Sequence, residues 1–282
     1  MRVDIGNCRL FFDVEGSKLR PDGPRMKELP TLLLLHGGPG FDHSSYKPAF
    51  SLLRDITQIV YLDHRGQGRS DRSTRDFWNL DQWATDVKSF CDALEIERPF
   101  VLGNSFGGMV AMAYASRYPD HPAKLVLSST AARMDLDRIL RMFEKLGGLE
   151  VRDAACSFWE TPSPENRARY MRLCMPLYNP SGVLANPDSL ARTVWNFDVM
   201  EHFIKGEQRT FNLLPELHQI KCPSLLLAGA HDPVCTIEDM KEIAEAIAPN
   251  LMRLELFAEA GHGVFRDEPE RALKILSEFI TA

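Results

Sequence analysis

The sequence predicts an α/β fold, a mostly parallel central sheet flanked by helices, with a mainly helical segment inserted into it. Three observations carry this. Short apolar runs end abruptly in glycine-containing breaks, amphipathic stretches lie between them, and the alternation stops after Ser129 and resumes near Cys222. Apolar runs of this kind suit strands buried on both faces, and their alternation with helix-like stretches describes a parallel sheet covered on both sides.

Taken in order, residues 9–15 read as a strand, and the polar stretch 16–30, with its proline, glycine and charge, as a surface connection. Residues 31–35 (TLLLL) form a central strand that breaks into HGGPG at 36–40. Residues 45–54 read as a helix. Residues 58–62 (QIVYL) repeat the strand pattern and break into DHRGQGRS at 63–70, with a helix at 80–94. A third strand, 100–102, breaks into GNSFGG at 103–108 and is followed by a helix at 109–118. Further strands are predicted at 124–127, 224–228 and 251–257, and further helices at 238–248 and 270–280. The intervening region has helical periodicity, several proline breaks and a concentration of aromatic residues. The expected division is residues 1–130 and 219–282 as two parts of one sheet domain, with 131–218 as a helical cap over the carboxyl edge of the sheet. In open α/β sheets that edge is where ligands bind.

The composition narrows the classes. The 282 residues include 33 Lys+Arg against 39 Asp+Glu, a net charge of −6. That balance lacks the basic surplus that phosphate-backbone binding draws on, so nucleic acid is not an expected partner. No apolar run approaches membrane-spanning length, and Arg2, Asp4, Asn7 and Arg9 stand where a signal peptide would be apolar. A cytoplasmic protein without a membrane partner is expected. The six cysteines are scattered without the spacing of a structural metal site, so reduced thiols and no metal are expected.

The chemistry-bearing motifs fall in the strand-end breaks. GNSFG at 103–107 stands between a strand and a helix, where a G-x-S-x-G turn lifts its serine hydroxyl above the sheet. The turn is so tight that side chains two residues either side of the serine would collide. Ser105 is therefore the candidate nucleophile, and the Phe106 N–H a candidate oxyanion donor. The alternative is a glycine-rich helix start with a capping serine. A serine nucleophile needs a base held by a carboxylate. His262 in AGHG (260–263) and Asp232 in GAHDP (229–233) each follow a predicted strand, in the order serine, acid, histidine. HGGPG supplies a second oxyanion donor, Gly38 with Gly37 next, because glycines let the backbone approach a substrate carbonyl. A phosphate-cradling loop is disfavoured by the lack of a Lys-Ser/Thr ending. The 63–70 run reads as a turn held by an Asp–Arg pair. His43, His64, His121, His202 and His218 read as loop or surface residues, Glu259 and Asp267 as caps of the His262 loop, and Asp239 as a helix-start carboxylate.

Together HGGPG, the D-x-R-G-x-G-x-S run at 63–70, the Ser105 turn, Asp232 and Gly261-His262 resemble the α/β-hydrolase superfamily, and within it the proline iminopeptidase-like serine hydrolases. The elbow differs from the GGSWG of iminopeptidases and resembles carbon–carbon bond hydrolases and esterases. Those carbon–carbon hydrolases carry an aromatic residue after the histidine, where this chain has Gly263. The resemblance implies cap carboxylates that hold a substrate ammonium, with Glu160 in Trp159-Glu160 and Glu201 as candidates. Trp159, Trp195 and Phe197 are candidate walls of an acyl pocket. The implied activity is cofactor-free hydrolysis of small amides or esters through an acyl-enzyme, most like release of an N-terminal residue from a small molecule or short peptide. A carboxylesterase, lactonase or carbon–carbon hydrolase with an apolar cap is the alternative, and a non-catalytic binding protein of the same fold a lesser one.

Overall fold

The computed structural model describes residues 1–182 and 187–282. Its strands are β1 (Arg2–Asp4), β2 (Arg9–Glu15), β3 (Leu19–Asp22), β4 (Arg25–Glu28), β5 (Thr31–Leu35), β6 (Gln58–Leu62), β7 (Phe100–Asn104), β8 (Lys124–Ser128), β9 (Ser224–Gly229) and β10 (Met252–Phe257). Eight of them form one sheet in the order β1-β2-β6-β5-β7-β8-β9-β10. The pairs β1–β2 and β2–β6 are antiparallel, and every other pair in that sheet is parallel. The helices are α1 (Leu80–Ala93) and α2 (Phe106–Arg117), then α3 (Leu136–Gly147), α4 (Leu149–Glu160), α5 (Pro164–Leu173), α6 (Pro187–Arg192) and α7 (Phe197–Lys205). After β9 come α8 (Ile237–Ala246), α9 (Val264–Asp267) and α10 (Pro269–Thr281). None of the helices among the described residues is long and apolar enough to cross a membrane.

The unbroken apolar runs are explained by what lies on each side of the sheet. Leu33 and Leu35 of β5 pack into one core with Trp83, Phe90, Val110 and Met240, whereas Leu32 and Leu34 pack into another with Tyr46, Phe50, Phe257 and Leu276. The same split divides Val60 and Leu62 from Ile59 and Tyr61 in β6. A strand with period-two side chains and apolar cover on both faces has no polar positions to alternate with. Each fully buried leucine contributes roughly 1.5–3 kcal/mol relative to exposure.

Between β8 and β9, which pair in parallel, the chain leaves the sheet for α3 to α7. The ends of this excursion are tied together where the Leu213 N–H donates to the Ala132 carbonyl (2.8 Å) and Arg133 bridges to Asn212. Beyond that neck, Leu217 and Ile220 already pack into the core of the sheet. The excursion has its own core of Ile139, Phe143, Phe158, Tyr170, Met200 and Ile204. Helix α7 joins the two, with Val199 and Phe203 turned into the core of the sheet and Met200 and Ile204 into the excursion.

Two elements depart from expectation. Residues 45–54 are not an α-helix but two short 3₁₀ turns, His43–Tyr46 and Ala49–Leu53, separated at Pro48, which has no N–H to continue a helix. The 16–30 connection contains the β3–β4 hairpin, fully exposed, which reverses at Gly23 (φ +58°) and Pro24. A glycine at the first of the two turn positions supplies the positive φ that such a two-residue hairpin loop needs.

Candidate active site

Ser105 stands between β7 and α2 with φ +54° and ψ −122°, a backbone conformation unfavourable for a residue with a Cβ. Hydrogen bonds to its backbone hold it there. Its N–H donates to the Ser128 carbonyl (3.0 Å), and its carbonyl accepts from the Thr130 hydroxyl (2.7 Å) and the Gly108 N–H (2.8 Å). The flanking glycines follow from sterics, since a Cβ on Gly103 would lie 2.3 Å from the Gly107 oxygen and one on Gly107 would lie 1.9 Å from the Leu35 oxygen. Phe106 opens α2, so its N–H is among the donors left open at a helix start. The HGGPG loop lies against this turn, because a Cβ on Gly37 would be 3.3 Å from the Ser105 Cβ. His36 underlies the loop. Its Nδ1 donates to the Gly37 carbonyl (2.8 Å) and its Nε2 accepts from the His64 N–H (3.3 Å). Burial holds the His36 ring below its ordinary pKa, against the opposing field of Asp63, and burial together with His36 holds His64 well below.

Asp232 follows β9 and His262 follows β10, so the carboxyl edge of the sheet brings both to the end where Ser105 stands. Asp232 is fully buried. One of its oxygens accepts from the Val234 and Cys235 N–H groups (2.9 Å each) and the other meets His262 Nδ1 at 2.8 Å. A carboxylate accepts, so Nδ1 carries the hydrogen and Nε2 is left as the acceptor. The His262 N–H donates to the Tyr178 carbonyl (2.7 Å), and its ring packs edge-on to Tyr178. Asp267 holds the same loop by accepting from the Gly261 N–H (2.8 Å). Asp232, Cys235 and His262 also form a cluster of metal-ligand types, their atoms all within 4.8 Å of one another. Burial pushes the Cys235 thiol well above its ordinary pKa, which disfavours the thiolate a metal would need.

Ser105, His262, Gly37 and Gly38 line one cavity of about 540 Å³ between the sheet edge and the helical excursion. Trp159, Trp195 and Phe197 form part of its far wall, with Trp195 stacked on Phe197 and edge-on to Phe41.

A family model described as "alpha/beta hydrolase fold" matches residues 30–269. The chain belongs to the α/β hydrolase fold family. It is 27% identical over 276 residues to a proline iminopeptidase, PfmaB, of Pestalotiopsis fici, covering 94% of this chain and 96% of that one. It is equally 27% identical over 267 residues to human epoxide hydrolase 4, covering 89% of this chain and 72% of the relative. The crystal structure of a Mycobacterium smegmatis proline iminopeptidase superposes with a TM-score of 0.78 at 21% identity, covering 100% of this chain and 97% of the other. The hydrolase is thus similar to proline iminopeptidases, while equal identity to an epoxide hydrolase leaves the substrate to be read from the site.

Neither glutamate singled out in the sequence faces the cavity of this α/β hydrolase. Glu160 is exposed at the end of α4, because that helix turns Phe158 and Trp159 inward and leaves the next residue outside. Glu201 lies on the outer side of α7, paired with Arg167 (2.9 Å) and Lys205 (3.3 Å). The 63–70 turn supports the HGGPG loop more extensively than a single Asp–Arg pair would. Asp63 accepts from the Arg69 N–H (2.8 Å) and meets His43 Nδ1 (2.7 Å), while the Arg69 guanidinium pairs with Asp42 (2.6 Å). The Gln67 side chain accepts from the Gly40 N–H (2.6 Å), and Arg65 makes a buried two-pronged pair with Asp86 (2.7 Å for each bond). His43 and His64 are therefore buried residues of this scaffold, not surface ones. Asp42 and Gln67 were not recognisable as site residues, because their partners come from other loops.

Proposed function

We propose that the protein is a serine hydrolase that cleaves small carboxylic esters or amides through an acyl-enzyme, with Ser105, His262 and Asp232 as its catalytic triad. The observation that carries the reading is the buried Asp232–His262 hydrogen bond opening onto the same cavity as the strained Ser105. His262 Nε2 takes the Ser105 proton as the hydroxyl attacks the carbonyl carbon. The Phe106 and Gly38 N–H groups, with Gly37 alongside, stabilise the oxyanion, and Asp232 stabilises the imidazolium. The proton passes from His262 to the departing alcohol or amine. Water, deprotonated by His262, then releases the acyl group and returns Ser105. None of these steps calls for a metal or organic cofactor.

Residues 131–218 act as a cap whose aromatic side chains Trp159, Trp195 and Phe197 hold an apolar part of the substrate. The cavity placement of these three supports this, and the outward position of Glu160 and Glu201 favours esters and amides without an N-terminal ammonium. A second reading, release of an N-terminal residue, is supported by the HGGPG loop and the iminopeptidase relatives.

Two measurements test the proposal. A fluorophosphonate probe is expected to label Ser105, and Ser105→Ala to abolish both labelling and hydrolysis of p-nitrophenyl acetate. An unlabelled Ser105 in folded protein would favour a binding protein of the same fold. Proline p-nitroanilide separates the readings: the ester reading expects slow or no turnover, with Glu160→Ala and Glu201→Ala leaving ester hydrolysis unchanged. Rapid anilide turnover that is lost in either variant would establish the aminopeptidase instead.

A further inference from the structure

We propose that Arg266 is a carboxylate-binding subsite, so that the preferred substrates are esters or amides bearing a free carboxylate a few bonds from the scissile carbonyl. The substrate class rests on the hydrolase reading above. The subsite rests on a comparison of the charged side chains that line the cavity. Asp42 pairs with Arg69 (2.6 Å), Arg133 with Glu242 (2.8 Å), Arg167 with Glu201 (2.9 Å) and Lys47 with Glu15 (3.0 Å). Asp135 and Asp239 both pair with Arg138. Arg266 alone of these lining residues forms no ion pair among the described residues. Its Nη1 donates to the neutral side-chain oxygen of Asn179 (2.7 Å).

The neighbouring carboxylate is engaged elsewhere. Asp267 accepts from the Asn179 amide (3.0 Å), the Gly261 N–H (2.8 Å) and the Ser181 hydroxyl (2.5 Å). Asn179 is consequently fixed in orientation, giving its N–H to Asp267 and its oxygen to Arg266. A guanidinium has five N–H donors in a planar fork, and the Asn179 bond uses one. Burial pulls Arg266 below its ordinary pKa, opposed by Asp267 alone, the sign of a partly desolvated cation without a bonded counter-charge. Such a group binds a carboxylate by charge-assisted, two-pronged hydrogen bonds.

The position suits an acidic substrate rather than a stray surface anion. The Arg266 N–H donates to the Gly263 carbonyl (2.8 Å), so the arginine is one helical turn beyond His262 and borders the same cavity as the base. A substrate carbonyl at Ser105 can therefore extend an acidic arm past His262 to the guanidinium. An ammonium in that place would meet a cation.

The test uses two p-nitrophenyl esters with acyl chains of equal length, the mono-ester of glutaric acid and the valerate. Wild-type protein is expected to prefer the glutarate ester in kcat/KM, and Arg266→Gln to reduce that preference at least about tenfold, mainly through KM. Arg266→Lys, which keeps the charge but not the fork, is expected to fall between them. A preference absent from the wild type, or unchanged in a folded Arg266→Gln, would overturn the subsite. A readout independent of catalysis uses Ser105→Ala protein with glutarate and its neutral analogue glutaramide in a calorimetric titration. Glutarate is expected to bind and glutaramide not to, and equal binding of the two would overturn the subsite even if the Arg266 variants failed to fold. Glutarate binding without hydrolysis of either ester by the wild type would instead sink the hydrolase reading and leave the anion site standing.

Discussion

At Gly107 the fold leaves no room for one more carbon, since a Cβ there would meet the Leu35 carbonyl oxygen at 1.9 Å. Gly107→Ala must push β5 away from α2, and the expected cost is about 3 kcal/mol in urea unfolding, accompanied by loss of activity. A loss under about 0.5 kcal/mol would show that the elbow has slack and that glycine is not required by packing. Asp232→Asn tests a different property of a single residue. An amide keeps the shape of the carboxylate but can offer its N–H₂ to His262 and select the wrong tautomer, so kcat is expected to fall by roughly 10⁴-fold with the fold intact. Retention of activity within about tenfold would remove Asp232 from the proposed triad. Ser105, Asp232 and His262 were readable as candidates because each stands in the loop that follows a strand, and a parallel sheet brings all such loops to one edge. Glu160, Glu201 and Arg266 were not. Whether a helical residue faces the cavity depends on the rotation of its helix against its neighbours. Trp159 and Glu160, adjacent in sequence, end up on opposite sides of that boundary.

The 63–70 turn holds the geometry of the HGGPG loop, the proposed oxyanion loop, from outside it. It ties itself to the HGGPG loop through Gln67 to Gly40 and Arg69 to Asp42, and to α1 through Arg65 to Asp86. The Arg65 and Asp86 side chains are 1% and 5% exposed, so removing one partner strands a charge away from water. Arg65→Met is expected to destabilise by about 3–5 kcal/mol, and Arg65→Met combined with Asp86→Leu to recover most of that loss. Equal destabilisation by the single and double variants would mean that the pair matters through side-chain packing and not through charge. Strands such as β5 and β6 were legible as elements because both faces are covered, so local composition alone marks them. The apolar spacing of residues 45–54 suits a helix, whereas Pro48 and the packing of Tyr46 and Phe50 against the sheet break the stretch into two turns. The β3–β4 hairpin buries none of its own residues, so no hydrophobic alternation announced it.

At the scale of the whole molecule, the HGGPG loop couples the stability of the fold to pH. His36 and His64 are both buried, with ring centroids 4.6 Å apart, and two imidazolium charges cannot be accommodated there. Burial holds both rings below their ordinary pKa, with Asp63, the Gly37 carbonyl and Asp42 opposing it at His36, and His36 and His43 adding to it at His64 and His36 respectively. In the unfolded chain these histidines titrate near 6.5, so between that value and their lower folded values the unfolded state binds more protons. Stability is therefore fully present above about pH 6.5 and is lost as the pH falls below it, by up to about 1.4 kcal/mol per pH unit for each histidine. The buried carboxylate of Asp42 acts in a separate, more acid window. Burial would raise it, but hydrogen bonds from Val194, Ser44 and Arg69 outweigh that and hold it below its ordinary value. Its contribution is lost only as the pH falls below about 4. Urea unfolding between pH 5 and 7 is expected to show a positive slope of stability with pH, reduced by up to about one proton in His64→Leu. A wild-type curve flat from pH 5 to 7 would mean that the folded protein binds as many protons as the unfolded chain, so that neither ring is held below its ordinary value. The His36–His64 contact beneath the HGGPG loop would then have to be rebuilt around an imidazolium.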